Sequence, residues 1–228
     1  MSDPSPLASA PAPVIHPFPG PSPRTIVARA DHPSRARFEA FIEAQFEAAY
    51  GATLPGHFPL IAGLGVRNGP VLAAAGLRFG ETGPLFLEQY LDEPAEQAIA
   101  AAFGRPVARD SLVEIGSLAS AGPAGSLQLF TALAAWLSGV CGRRFAVATV
   151  RPELARLLGR AGFGLRRLGE ADPGRLGEAA AAWGSYYERR PQVYAAEVGV
   201  SAALPLLRER LASRSLERQV RRLRANAS

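Results

Sequence analysis

Two glutamates and one loop of small residues carry most of the chemistry that this sequence offers. Glu114 lies inside the apolar run SLVEIGSLAS (111–120), flanked by Val113 and Ile115, and Glu88 follows the apolar triplet at 85–87. A carboxylate in an apolar strand loses hydration, which raises its pKa toward neutrality and suits it to take a proton from an amine. Directly after the strand of Glu114 comes AGPAGS (121–126), and then the apolar helix pattern LQLFTALAAWL. A helix that opens on small residues leaves main-chain N–H groups open to phosphate oxygens. Ala121, Gly122, Ala124, Gly125 and Ser126 are therefore the candidate phosphate cradle, although Pro123 removes one donor from it. Plainer readings stand beside these: the loop can simply cap a core helix, and each glutamate can face solvent or pair with an arginine such as Arg78 or Arg109.

Aromatic side chains form the next group. Trp183, Tyr186 and Tyr187 fall within five residues, and on a helix they share one face. They can wall a ligand pocket, and a Tyr hydroxyl such as that of Tyr186 can donate a proton there; core packing accounts for them equally well. The substrate pocket is assigned to Arg78, Gln89, Tyr90, Ser117, Trp183 and Tyr187. His16, His32 and His57 are each isolated, with His32 a turn residue between Asp31 and Pro33, and no His, Cys or Asp spacing suits a metal. Cys141 after an apolar helix reads as a buried thiol. All 25 basic residues are arginine, so a Schiff-base or P-loop lysine is excluded.

The elements that must position these groups follow from periodicity. RTIVARA (24–30) reads as a first strand. The helix RARFEAFIEAQFEAAY follows, with Phe38, Phe41, Ile42 and Phe46 at three- and four-residue steps and Gly51 as its stop. HFPLIAGLGV (57–66) and VLAAAGLRFG (71–80) form a hairpin around Asn68-Gly69. Residues 85–91 read as a strand running into a helix at PAEQAIAAAF, and 111–120 is the strand of Glu114. A helix over 126–140, a strand over 143–150 and a short helix over 152–163 come next. A helix over 175–187 and a last strand over 191–200 complete the order. The expectation is an α/β (α+β) fold: a mixed, mostly antiparallel central sheet flanked by helices.

Residues 1–23 hold eight prolines and little apolar material, which predicts a disordered arm. A folded α/β domain is then expected over 24–200, and 201–228 forms an amphipathic tail with seven arginines between Arg208 and Arg224 against Glu209 and Glu217. The chain's net charge of +5 is thus concentrated in that tail, and the near-neutral remainder does not suit a nucleic-acid-binding body. Such a tail can dock an acidic partner or lie peripherally on an anionic membrane. With no basic, apolar leader and no apolar run long enough to span a bilayer, a cytoplasmic location is expected.

The run LVEIGSLAS–AGPAGS–LQLFTALAAWL, followed by FAVATV and ELARLLGRAGF, resembles the GNAT-type N-acyltransferases. In them a strand, a loop and a helix start grip the pyrophosphate of an acyl carrier. Here Ala119 stands where those enzymes carry Arg or Gln. FLEQYLDEPAEQAI, FGRPVARDSLVEIGSLAS, WGSYYERRPQV and FEAFIEAQFEAAYGA, with His32-Pro33, resemble the thermostable hemolysin family from about residue 24 to about 200. GluIleGlySerLeu is also similar to the Glu-x-x-Arg-Leu strand of acyl-homoserine-lactone synthases, with Ser117 in place of the arginine. These resemblances imply an acyltransferase fold with Glu114, Glu88 and Tyr186 as candidate catalytic groups. The donor would be an acyl-CoA or acyl-carrier-protein thioester, the acceptor a small, amino-acid-like amine, and no cofactor would be tightly bound. An acidic acyl carrier protein is the partner expected at the arginine-rich tail. A membrane-active hemolytic protein and a non-catalytic acyl-carrier binder are the alternatives.

Overall fold

The computed structural model describes residues 23–198; the proline-rich arm and the arginine-rich tail lie outside the described residues. Seven strands form one sheet: β1 (Arg24–Ala28), β2 (Leu60–Gly65), β3 (Val71–Phe79), β4 (Leu112–Ser120), β5 (Phe145–Val150), β6 (Arg166–Glu170) and β7 (Gln192–Glu197), in the spatial order β1-β2-β3-β4-β5-β7-β6. All neighbours are antiparallel except β4 and β5. A parallel pair needs a crossover connection, and the apolar helix after the small-residue loop supplies it. That helix, α3 (Pro123–Gly139), packs with α4 (Pro152–Arg160) on one face of the sheet, where Leu129, Leu133 and Leu158 meet Leu72, Val113 and Ile115. The other face is covered by α1 (Arg35–Tyr50), whose Phe38, Ile42 and Phe46 are buried, and by α2 (Ala95–Phe103), whose Ile99 packs near Leu112 and Phe145.

Local chemistry explains the boundaries. α1 ends where Gly51 turns left-handed (φ 63°) and gives its N–H to the Glu47 carbonyl. The β2–β3 hairpin turns through Asn68, also left-handed, with the Gly69 N–H bonded to the Val66 carbonyl. α3 begins at Pro123, three residues earlier than periodicity suggests, because proline at a first helical position gives up an N–H that has no helical partner anyway.

Three expectations are corrected. Residues 86–90 form a 3-10 turn (Phe86–Tyr90) and not a strand: the Phe86 and Leu87 amides are taken by the Glu114 carboxylate and that of Glu88 by the Leu85 carbonyl, not by a neighbouring strand. β6, RRLGE, lies between the expected helices over 152–163 and 175–187, where no strand is expected; it is a largely exposed edge strand without apolar alternation. The single helix expected over 175–187 is a run of 3-10 turns (Pro173–Arg189), broken at Gly177 (φ 57°) and Gly184 (φ 52°).

Candidate active site

β4 and β5 are paired only from Leu112 to Glu114 against Phe145 to Val147, and beyond that register the strands separate. A bulge contributes to the parting. Against β3, Gly116 pairs with Gly76 and Ala119 with Ala74, so Ser117 and Leu118 stand opposite the single residue Ala75. Ser117 takes a left-handed conformation (φ 46°) to absorb the extra residue. A cleft of about 740 Å³ opens at this point, lined by both strands, the start of α3, α4, and the aromatic residues from α1 and the Pro173–Arg189 turns.

Glu114 stands where the parting begins. It is only 2% exposed, yet it lines the cleft. Its carboxylate accepts the Phe86 N–H at 2.8 Å and the Leu87 N–H at 2.9 Å. Burial raises its pKa to about 7, and the two amides and the neighbouring Arg78 guanidinium only partly offset this. Arg78 pairs with it across the β3–β4 ladder, also lines the cleft, and lies over the Phe58 ring.

Glu88 is not part of the cleft wall. Burial works to raise its pKa, but the Arg109 guanidinium and the backbone amides of Ala95 and Leu85 outweigh it and hold the carboxyl down at about 2. A carboxylate so held does not accept a proton near neutrality, so the catalytic expectation for Glu88 is corrected to an ion pair with Arg109. Gln89 also lies outside the cleft, with its side-chain amide donating to the Phe86 carbonyl.

The aromatic residues come together by a route other than the expected helical face. Trp183 precedes the break at Gly184 and Tyr186 and Tyr187 follow it, so a kink and not a helical face brings them together, with centroids 5.2–6.2 Å apart. All three line the cleft with Tyr90, whose hydroxyl meets that of Tyr187 at 2.5 Å. Tyr186 donates to the Thr149 carbonyl at 3.4 Å, and burial pushes its pKa up. The Thr149 hydroxyl, also on the cleft, has no partner among the described residues.

The phosphate cradle is narrower than the loop suggests. Gly122, Pro123 and Ser126 line the cleft, whereas Ala121, Ala124 and Gly125 do not. The Ala121 N–H is spent on the Leu72 carbonyl, that of Gly122 on the Ser120 hydroxyl, and those of Gly125 and Ser126 on the Gly122 carbonyl. Gly125 serves packing, since a Cβ there would lie 2.7 Å from the Leu72 oxygen. The positive charge comes instead from Arg151, Arg156 and Arg160, which border the cleft at and along α4 and were not singled out from sequence. Their four- and five-residue spacing on a short helix was the available signal. His57, read as isolated, meets Glu43 at 2.8 Å at the cleft, and His32 accepts the Ser34 N–H as a turn residue should. Cys141 is partly exposed, next to the exposed Val140, and not buried. Among the described residues, no cluster could hold a metal and no helix is long and apolar enough to cross a membrane.

The sequence profile described as "Thermostable hemolysin" matches residues 28–202. The chain belongs to the thermostable hemolysin family. None of the curated proteins compared with this family member matches it. Its fold is similar to that of the acyl-homoserine lactone synthase LasI, with a TM-score of 0.56 and 13% identity over 81% of this chain and 95% of that one. It is also similar to BjaI, a CoA-dependent acyl-homoserine lactone synthase solved with SAM and isopentyl-CoA, at a TM-score of 0.57 and 15% identity over 86% of this chain and 92% of that one. FeeM, an N-acyl amino acid synthase from uncultured soil microbes, matches at a TM-score of 0.51 and 15% identity over 82% of this chain and 94% of that one. The mixed seven-stranded sheet is thus an acyltransferase fold.

Proposed function

We propose that this thermostable hemolysin family protein is an acyltransferase that moves an acyl group from a CoA or carrier-protein thioester to a small, amino-acid-like amine. The observation that carries the reading is Glu114: a buried carboxylate that titrates near neutrality, at the point where two strands part around an open cleft. An ammonium group has no lone pair, so the acceptor must first give up a proton, and Glu114 is suited to take it. The amine nitrogen then bonds to the thioester carbonyl carbon and gives up its second proton as the carbon–sulfur bond breaks, and the leaving sulfur takes up one proton to become the thiol. Tyr186, protonated before the step because burial raises its pKa, is assigned to pass its proton to that sulfur and to be reprotonated by the proton the nitrogen releases.

The surroundings support the same assignment. Arg151, Arg156 and Arg160 match the phosphates of a phosphopantetheine donor. An apolar slot between α3, α4 and the sheet shares Ile115 and Val150 with the cleft and suits part of an acyl chain. Arg78 forms no ion pair with the described residues, and its guanidinium group suits the carboxylate of an amino-acid-like acceptor. The arginine-rich tail, outside the described residues, is the proposed contact for an acidic carrier protein. Mass spectrometry of lipid extracts from cells making wild type and Glu114→Ala tests the proposal. An acylated metabolite made only by wild type supports it and names both substrates; identical extracts overturn the role of Glu114.

A further inference from the structure

Arg109 lies five positions before Glu114 and lines no part of the cleft, yet each of its five N–H donors has an acceptor. Nε donates to the Gly80 carbonyl and Nη2 to the Gly83 carbonyl, both at 3.0 Å. Both terminal nitrogens grip the Glu88 carboxylate, and Nη1 reaches Glu96 at 2.7 Å. Glu88 in turn accepts the N–H of Leu85 at 2.7 Å and that of Ala95 at 2.9 Å, the residues on either side of the Phe86–Tyr90 turn. That turn gives its first two amides to Glu114 and places Phe86 and Tyr90 on the cleft wall.

We propose that Arg109 is a positioning residue for the acyl-transfer site: through Glu88 it fixes the Phe86–Tyr90 turn, and through that turn it holds the Glu114 carboxylate. The inference rests on the reading of Glu114 as the base. The other charged or titratable groups facing Glu114 are Arg78 from β3 and Glu88 and Tyr90 from the turn, while β5 presents the apolar Val147 beside it. Loss of the clamp frees the two amides that lower the Glu114 pKa and leaves the charge of Glu88 without its counter-ion. Both changes drive the carboxyl the same way, upward.

The test is an NMR titration of isotope-labelled glutamate in the full-length chain, with the Glu114 signal assigned through Glu114→Gln. Arg109→Gln is expected to raise the midpoint by about one pH unit and to speed Phe86 and Leu87 amide exchange about tenfold. Arg109→Lys keeps the charge but cannot span five acceptors, so it shifts the midpoint in the same direction by less and serves as the readout if Arg109→Gln does not fold. Glu96→Gln, which touches Arg109 but not the turn, leaves the midpoint in place. An unmoved midpoint in folded Arg109→Gln, or in Arg109→Lys where that is the readout, overturns the proposal, because a clamp that only stabilised the fold would change melting alone. The titration needs no substrate, so a failure of the acyltransferase reading would leave this result standing on its own.

Discussion

Glu114 gives up its proton near pH 7 in the folded chain and near 4.5 when unfolded, so between those values the native state carries one proton more than the unfolded one. Stability contributed by this group is therefore greatest below pH 4.5 and falls as pH rises to 7, where the accumulated cost is on the order of 3 kcal/mol. Glu114→Gln removes that titration. Urea unfolding at pH 5 and pH 8 should show the gap between the two conditions shrinking by up to about that amount. Acylation should rise with pH through a midpoint near 7 in wild type and drop about 10²- to 10⁴-fold in Glu114→Gln; a flat wild-type profile would count against a base of this pKa. Tyr186→Phe should lower kcat about tenfold with KM little changed, and an unchanged kcat would remove Tyr186 from the chemistry. Glu114 was legible because a charge inside an apolar strand is conspicuous. Glu88 looked alike in sequence, and only the partner brought to it from 21 residues away distinguishes the two.

Among elements, those whose own periodicity determines them were legible, and those shaped by distant groups were not. α1, α3, α4 and the β2–β3 hairpin carry their stop and turn residues with them. The Phe86–Tyr90 turn owes its shape to carboxylates at positions 88 and 114, and β6 is a polar edge that borrows its ladder from β7. Gly184 breaks what composition reads as a helix, since it is left-handed and a Cβ there would sit 2.0 Å from the Tyr50 carbonyl oxygen. Gly184→Ala should therefore cost about 2 kcal/mol or more in denaturant melts and disperse the Trp183, Tyr186 and Tyr187 cluster, seen as a change in tryptophan fluorescence. Retained stability and an unaltered spectrum would show that the kink is not required.

At the scale of the molecule, charge is divided between the α4 rim and the tail. Three arginines at and along α4 border the cleft, with Arg78 from β3 a fourth, and seven more lie in a segment outside the described residues. If the rim binds phosphates and the tail a carrier protein, their effects should separate. Arg156→Glu combined with Arg160→Glu should raise KM for both CoA and carrier-protein donors. Deleting residues 205–228 should raise it for the carrier protein alone. Equal effects of the deletion on both donors would remove the tail from carrier recognition.

The short ladder between β4 and β5 has one more consequence. Past Glu114 and Val147, two strand edges face each other with no rungs between them, so the sheet is left unfinished at its centre. A donor arm that brings its own amides can supply those missing rungs, and loading the enzyme then becomes a form of stitching. Hydrogen exchange at residues 116–119 and 148–150 should slow when an unreactive donor analogue is added, with little change at the outer strands.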